Sequence, residues 1–338
     1  MLKTTSRVLI GALAATIPLA AVAPAAFAAD TSSSGKEVKC VSPRDPKLAR
    51  KLQKDIVSAI GNHRYIAVSL YDRTTGTRCS SPLSHTQFDS ASVVKPVILG
   101  TLLMAKKGDL TDDEKTQATK MIQNSDNTAA SALWKELSDL SDPSKPNADL
   151  VKDFLKKAGM DETTIDPEFA WGLTQTTSAD QIKLLQMLTG DKNDVLKAPS
   201  RQYILDLMHG VQEDQRWGAT DGAPAASIAV KNGWLQRSQD GPDNDFDRKD
   251  WKVNSITAVT GHGKDGAVYD TGLAILTEGN RVPEGEQPFV GFKSGVENIQ
   301  RIAQAVNKRL YPGLSDSERF TPPAVTPEMA ADQAAAAE

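Results

Sequence analysis

Apolar residues recur along this chain with a spacing that changes twice. Leu48, Leu52, Ile56 and Ile60 fall four apart after Pro46, which predicts an amphipathic helix with proline in its first turn and Gly61 at its end. Tyr65 to Tyr71 then alternates apolar with polar residues, Thr74-Thr75-Gly76 offers a turn, and Thr77 to Ser81 returns, so a hairpin is expected. From Ser92 to His209 the period is helical. Thr111 with Glu114 reads as a capping box, Asn147 precedes Leu150, Phe154 and Leu155 with Gly159 as a stop, and Ser178 opens a helix carrying Ile182, Leu185 and Leu188. The period returns to strand in Ser227 to Leu235, Val253 to Thr260 and Val268 to Leu276, and Val296 to Leu310 closes with a helix. This order predicts a mixed α/β (α+β) fold. A five-stranded antiparallel sheet, drawn from both ends of the chain, is flanked by the terminal helices and interrupted by an all-helical block. A functional site is expected at the seam between sheet and block.

The ends of the chain read differently. Lys3 and Arg7 precede 21 uncharged residues, Val8 to Ala28, that finish in Ala26-Phe27-Ala28, the pattern of a cleaved secretory signal peptide over 1–28. Pro18 and Pro24 argue against a retained membrane anchor. Residues 29–44 are polar and 314–338 are rich in Pro and Ala, and both are expected to be disordered arms around one folded unit, 45–313. Export places Cys40 and Cys79 in an oxidising compartment, where a disulfide between the arm and the second strand is expected, two free thiols being the alternative.

Composition removes several function classes. Lys plus Arg total 39 against 43 Asp plus Glu, a net charge of −4, and loss of Lys3 and Arg7 leaves 37 against 43, or −6. Such a chain has no field to neutralise a phosphate backbone, so nucleic acid is not an expected partner. The two cysteines form no CxxC, and His63, His85, His209 and His262 form no HxH or HxxxH, so no metal and no cofactor is expected. Gly261-His262-Gly263-Lys264-Asp265-Gly266 fits GxGxxG, but a strand and not a helix follows it, so it reads as a hairpin connection. Asp243, Asp245 and Asp247 alternate like a calcium loop, yet Arg248 and Asn254 stand where glycine and glutamate are needed.

Three short motifs carry chemistry. Ser92-Val93-Val94-Lys95 opens an apolar helical run, and residues three apart on a helix share a face, so the Ser92 hydroxyl and the Lys95 amine meet. A helix N-terminus and a second cation would lower the Lys95 pKa towards that of a base. Ser125-Asp126-Asn127 follows between two predicted helices, and Lys231-Asn232-Gly233 lies in the first of the late strands. Taken singly, Ser92 and Ser125 could be helix caps, Asn127 a turn residue and Lys231 a solvated strand edge.

Together, SxxK, SDN and KNG resemble the serine β-lactamases and penicillin-binding proteins, most closely the class A β-lactamases. Phe88-Asp89-Ser90-Ala91 before Ser92 and Thr176-Thr177-Ser178-Ala179-Asp180 later match the usual surroundings of those motifs. The resemblance spans residues 45 to 311 and implies the β-lactamase/transpeptidase fold. It implies Ser92 as acylated nucleophile, Lys95 as proton acceptor and Ser125 as proton shuttle. Asn127 would contact the substrate amide, and Lys231 with Asn232 and Gly233 would face its carboxylate. The backbone N–H groups of Ser92 and Trp234 would form the oxyanion hole. The implied partner is a β-lactam or a peptidoglycan stem peptide, bound by an exported monomer, with β-lactam hydrolysis as the leading activity and D,D-peptidase or non-catalytic binding as rivals. This sequence departs from the family in three places. Asn232 replaces a hydroxyl residue, the stretch from Lys95 to Ser125 is short, and the Glu-x-x-Leu-Asn segment before Thr176 is absent. Asp161, Glu162, Asp166 and Glu168 remain as loop carboxylates, with Glu168 the best placed as a deacylation base.

Overall fold

The computed structural model describes residues 37–140, 148–166, 170–190, 194–225, 228–236, 250–263 and 266–331. The expected signal peptide, the Asp243 to Asp247 loop, Asn147 and Glu168 lie outside them.

A short strand β1 (Lys39–Val41) leads into helix α1 (Pro46–Ile60), whose cap Asp45 accepts from the N–H groups of Lys47 and Leu48. The predicted hairpin follows as β2 (Ile66–Asp72) and β3 (Thr77–Ser80). After a two-residue strand β4 (Phe88–Asp89) and a 3₁₀ turn over Ala91–Val94, the helical block begins with α2 (Lys95–Ala105), α3 (Asp112–Gln123), α4 (Asn127–Leu140) and α5 (Ala148–Lys157). The Thr111/Glu114 capping box at the start of α3 is as the sequence predicts. Strand β5 (Gln175–Thr176), α6 (Ser178–Thr189) and α7 (Ala198–His209) complete the block. The chain then runs through β6 (Ile228–Gln236), β7 (Asp250–His262), β8 (Val268–Arg281) and α8 (Phe289–Leu310) to a short helix α9 (Pro327–Ala331).

The main sheet has the order β1-β3-β2-β8-β7-β6 with every neighbour antiparallel. It therefore has six strands where the sequence predicts five. The sixth is β1, from the segment read as a disordered arm: Cys40 pairs with Cys79 in register and the two form a disulfide. Composition misleads here because a covalent bond and an open sheet edge order a polar segment that buries little apolar surface. The C-terminal segment departs in the same way. Phe320 N–H donates to Ala223 O, Gly222 N–H to Phe320 O and Ala225 N–H to Glu318 O, while Met329 and Ala330 are buried. Those backbone hydrogen bonds order a Pro- and Ala-rich stretch out to Ala331. The GxGxxG segment closes the β7–β8 hairpin, with Gly263 N–H donating to Ala267 O, as its context predicts.

Both faces of the sheet are covered. Leu52 and Ile56 of α1 and Phe292, Val296 and Ile299 of α8 pack on Val68, Leu70, Leu273 and Ile275. On the opposite face Ile98 and Leu102 of α2, Met121 of α3 and Ile204 of α7 pack on Val230, Ile256 and Ala274. The alternation in β2 thus sends Val68 and Leu70 to the terminal helices and Tyr71 to the block, where its hydroxyl pairs with Thr189 Oγ1 at 2.9 Å. Edge strand β6 is left beside the first turn of the block.

The Cys40–Cys79 bond closes a sequence separation of 39 residues. On a chain-entropy argument its loss costs about 2–5 kcal/mol. A Cys40→Ser/Cys79→Ser double variant is expected to lose that much in urea denaturation against the oxidised wild type; an unchanged midpoint would show that the bond constrains nothing.

Candidate active site

Ser92 does not lie in the first turn of an α-helix, as its spacing from Lys95 predicts. It sits in the 3₁₀ turn Ala91–Val94, and α2 begins at Lys95 with Pro96 in its first turn and Val94 at the cap position. Ser92 is therefore not the cap of α2. The turn is held from three sides. Ala91 has φ +47°, a left-handed conformation that costs a non-glycine residue energy and is maintained only by its surroundings. Ser90 N–H donates to Thr174 O at 2.8 Å, and Asn254 Nδ2 on β7 donates to Asp89 O and Ser90 O at 2.8 and 3.1 Å. Strand β4 pairs with β5, so the two flanking segments that accompany the sequence motifs meet as one small sheet.

The third motif approaches this turn through Gly233. A Cβ at Gly233 would stand 2.6 Å from Ser92 N, 2.8 Å from Val93 N and 3.1 Å from Ser90 O, all backbone atoms that cannot swing aside. Glycine is required because β6 runs against the backbone carrying Ser92. Trp234, the next residue, turns its side chain to the other face, where its ring lies 5.5 Å from Trp217 and 5.4 Å from Phe292. Only its backbone is left to face Ser92.

Ser125 joins the motifs. It occupies the turn between α3 and α4 with φ +56°, while Asp126 caps α4 by accepting from Ala129 N–H at 2.6 Å. The Ser125 hydroxyl lies 2.8 Å from Lys231 Nζ and 3.3 Å from Lys95 Nζ. Lys95 Nζ also donates to Ser125 O at 2.5 Å and to Asn127 Oδ1 at 2.9 Å, and Lys231 Nζ to Asn232 O at 3.0 Å. Neither lysine is solvated, with Lys95 0% and Lys231 1% exposed. Burial, and then the nearby charge of Lys231, pull Lys95 well below the ordinary lysine value, with Asp126 opposing; burial brings Lys231 down to about 7. Two cations so close and so buried cannot both be held at full strength, so both amines give up a proton more readily than an exposed lysine does.

Asn232 departs from its expected role. Its side chain is buried, and both Nδ2 hydrogens are used inside the protein, on Gln215 O at 2.8 Å and Trp217 O at 2.9 Å. It points away from Lys231 because successive residues of a strand face opposite sides, and it braces the 215–217 loop in place of holding a ligand. Asn127 accepts from Lys95 through its Oδ1, which leaves Nδ2 as the donor end of its amide.

Three contributors were not singled out from the sequence. Asn254 and Gln175 secure the segment before Ser92, Gln175 by donating to the Asp89 carboxylate. Trp171, in the 3₁₀ turn Trp171–Leu173, places its ring 5.0 Å from Lys95 Nζ. A lone tryptophan in a polar loop was the available signal. Of the loop carboxylates, Glu162 accepts from Thr177 Oγ1 at 2.9 Å and pairs with His85, and Asp166 accepts from Ala170 N–H at 3.3 Å.

Residues 113–310 match a family model described as the β-lactamase enzyme family, more than half of the chain. The chain belongs to that family. The matched span contains Ser125 and Lys231 and begins after Ser92 and Lys95. A protein of Mycobacterium tuberculosis (strain H37Rv) named "Putative lipoprotein LppW" is 28% identical over 179 residues, 50% of this chain and 54% of that protein, so the chain spans about half the length of the curated relatives it matches. Among solved structures, the TLA-3 extended-spectrum β-lactamase is similar with a TM-score of 0.58 and 14% identity, covering 77% of this chain and 98% of that one. A class A β-lactamase from Bacteroides cellulosilyticus has a TM-score of 0.56 and 13% identity, with 78% and 99% covered. At these identities the likeness is one of fold. Among the described residues no helix is long and apolar enough to cross a membrane, and no cluster of side chains could hold a metal ion.

The lowered Lys231 pKa has a consequence for stability. Between about 7 and the ordinary lysine value near 10.4, the unfolded chain binds a proton that the folded chain does not, so stability rises with pH across that window. The melting temperature of the wild type is expected to rise relative to that of Lys231→Met between pH 7 and 9; parallel pH dependences would show that Lys231 is not held neutral by folding.

Proposed function

We propose that this chain is an exported serine hydrolase that forms an acyl-enzyme on Ser92 with a β-lactam or a peptidoglycan stem peptide. The observation that carries the proposal is the convergence of Lys95 and Lys231 on the Ser125 hydroxyl beside the turn that holds Ser92. Neutral Lys95 takes the Ser92 proton as Oγ attacks the carbonyl carbon. The proton passes through Ser125 to the leaving nitrogen as the C–N bond breaks. Lys231, in the molecules where it carries its proton, supplies attraction for the substrate carboxylate, and the N–H groups of Ser92 and Trp234 receive the oxyanion. Export rests on the 1–28 pattern and on the name of the Mycobacterium relative; a monomer is the working state.

The leading activity is β-lactam hydrolysis with slow release. Trp171 beside Lys95 favours the second reading, a D,D-peptidase that is acylated without rapid hydrolysis. Fluorescent penicillin separates the outcomes: quick release of label marks a β-lactamase, lasting label a peptidase or sensor, and no label a non-enzyme. Ser92→Ala is expected to abolish labelling, with peptide mass spectrometry of the wild type placing the adduct on Ser92; undiminished labelling of Ser92→Ala would overturn the assignment.

Loss of a positioned base costs about a hundredfold to ten-thousandfold in rate. Stopped-flow kinetics are therefore expected to show a burst equal to the enzyme concentration followed by slow turnover. Rapid wild-type turnover without a burst, with acyl-enzyme trapped only in Glu168→Gln, would make Glu168 an efficient deacylation base.

A further inference from the structure

Trp171 has no role in acylation, yet its position is closely determined. The turn that carries it is clamped to the nucleophile segment, since Ser90 N–H donates to Thr174 O at 2.8 Å and β5 follows at once in register with β4. Its indole N–H donates to Ser131 Oγ on α4 at 3.2 Å, and the residue is 8% exposed. The ring thus spans from the nucleophile segment to the helix that begins at Asn127, with its face on Lys95 Nζ at 5.0 Å. Hydrogen-bond acceptors of Ser125 and Asn127 occupy other directions around the same nitrogen.

Resting on the acyl-enzyme reading above, we infer that Trp171 closes the Lys95 side of the site to water and so sets the lifetime of the acyl-enzyme on Ser92. Hydrolysis of the ester requires a water oxygen to attack the ester carbon while its proton passes to a base. The bond from carbon to Ser92 Oγ then breaks, and Oγ regains a proton. After acylation has delivered its proton to the leaving nitrogen, Lys95 is a neutral amine able to act as that base, provided a water can stand next to it. The indole occupies that place. Its face is a poor hydrogen-bond partner for water, and its attraction for an ammonium holds Nζ in position whenever Lys95 is protonated. Trp171 is a positioning residue: it acts through Lys95 and the solvent and makes no bond to substrate.

The test measures acylation and deacylation separately with a fluorescent penicillin, in wild type, Trp171→Ala and Trp171→Phe. Trp171→Ala is expected to shorten the acyl-enzyme lifetime at least tenfold, while Trp171→Phe, which keeps a ring on Lys95, stays within threefold of wild type. An unchanged lifetime in Trp171→Ala, or equal shortening in both variants, overturns the inference. Should Trp171→Ala fail to fold, Ser131→Ala frees the indole from its hydrogen bond, and a shortened lifetime is expected there too; an unchanged one counts against the inference. Reductive methylation of lysines, read by peptide mass spectrometry, needs no acylation. Lys95 is expected to be protected in wild type and Trp171→Phe and modified in Trp171→Ala, and equal modification in all three overturns the shielding. Absence of label in the wild type would instead overturn the functional reading, leaving the methylation result to decide the role of the indole.

Discussion

Two lysines reach one serine hydroxyl from different layers of the molecule, Lys95 from the head of α2 and Lys231 from the edge strand β6. Each ammonium alone would be costly to bury, and the charge of Lys231 further weakens the hold of Lys95 on its proton. Much of the surrounding architecture serves that juxtaposition. Gly233 lets β6 lie against the backbone of Ser92 and Val93, Asn254 and Thr174 hold the turn before Ser92, and left-handed Ser125 directs its carbonyl and hydroxyl towards Lys95.

The motifs were legible because they are local. Thr111 with Glu114 states a helix start within four residues, SxxK, SDN and KNG are each three or four residues long, and the helical and strand periods mark the order of most elements. What stayed hidden depends on distant partners. Nothing near Cys40 announces a strand until its bond to Cys79 and the open edge of β3 are considered together. The order of the segment 314–331 is hidden for the same reason, since it comes from backbone pairing with residues 222–225 and from a few scattered apolar residues, Met329 among them, whose partners are distant in sequence.

Asn232 illustrates the limit of motif transfer. The position matches the family triplet, but strand alternation directs its amide to the back of β6, where two carbonyls of the 215–217 loop take both hydrogens. A motif fixes where the backbone runs; the partner on each face decides what the side chain does. Trp171 is the converse, a residue outside every motif whose ring completes the wall around Lys95.

The pairing of Gly222, Ala223 and Ala225 with Glu318 and Phe320 also ties the surroundings of β6 to a segment far along the chain. The turn that carries Ser92 lies near the end of the first quarter of the chain, while β6 docks beside β7 and the loop behind it is fastened by residues close to 320. A nascent molecule threaded from its N-terminus would therefore carry Ser92 long before it has the strand that gives the serine its surroundings. The surroundings of Ser92 are complete only once the chain has reached the residues that fasten the loop behind β6.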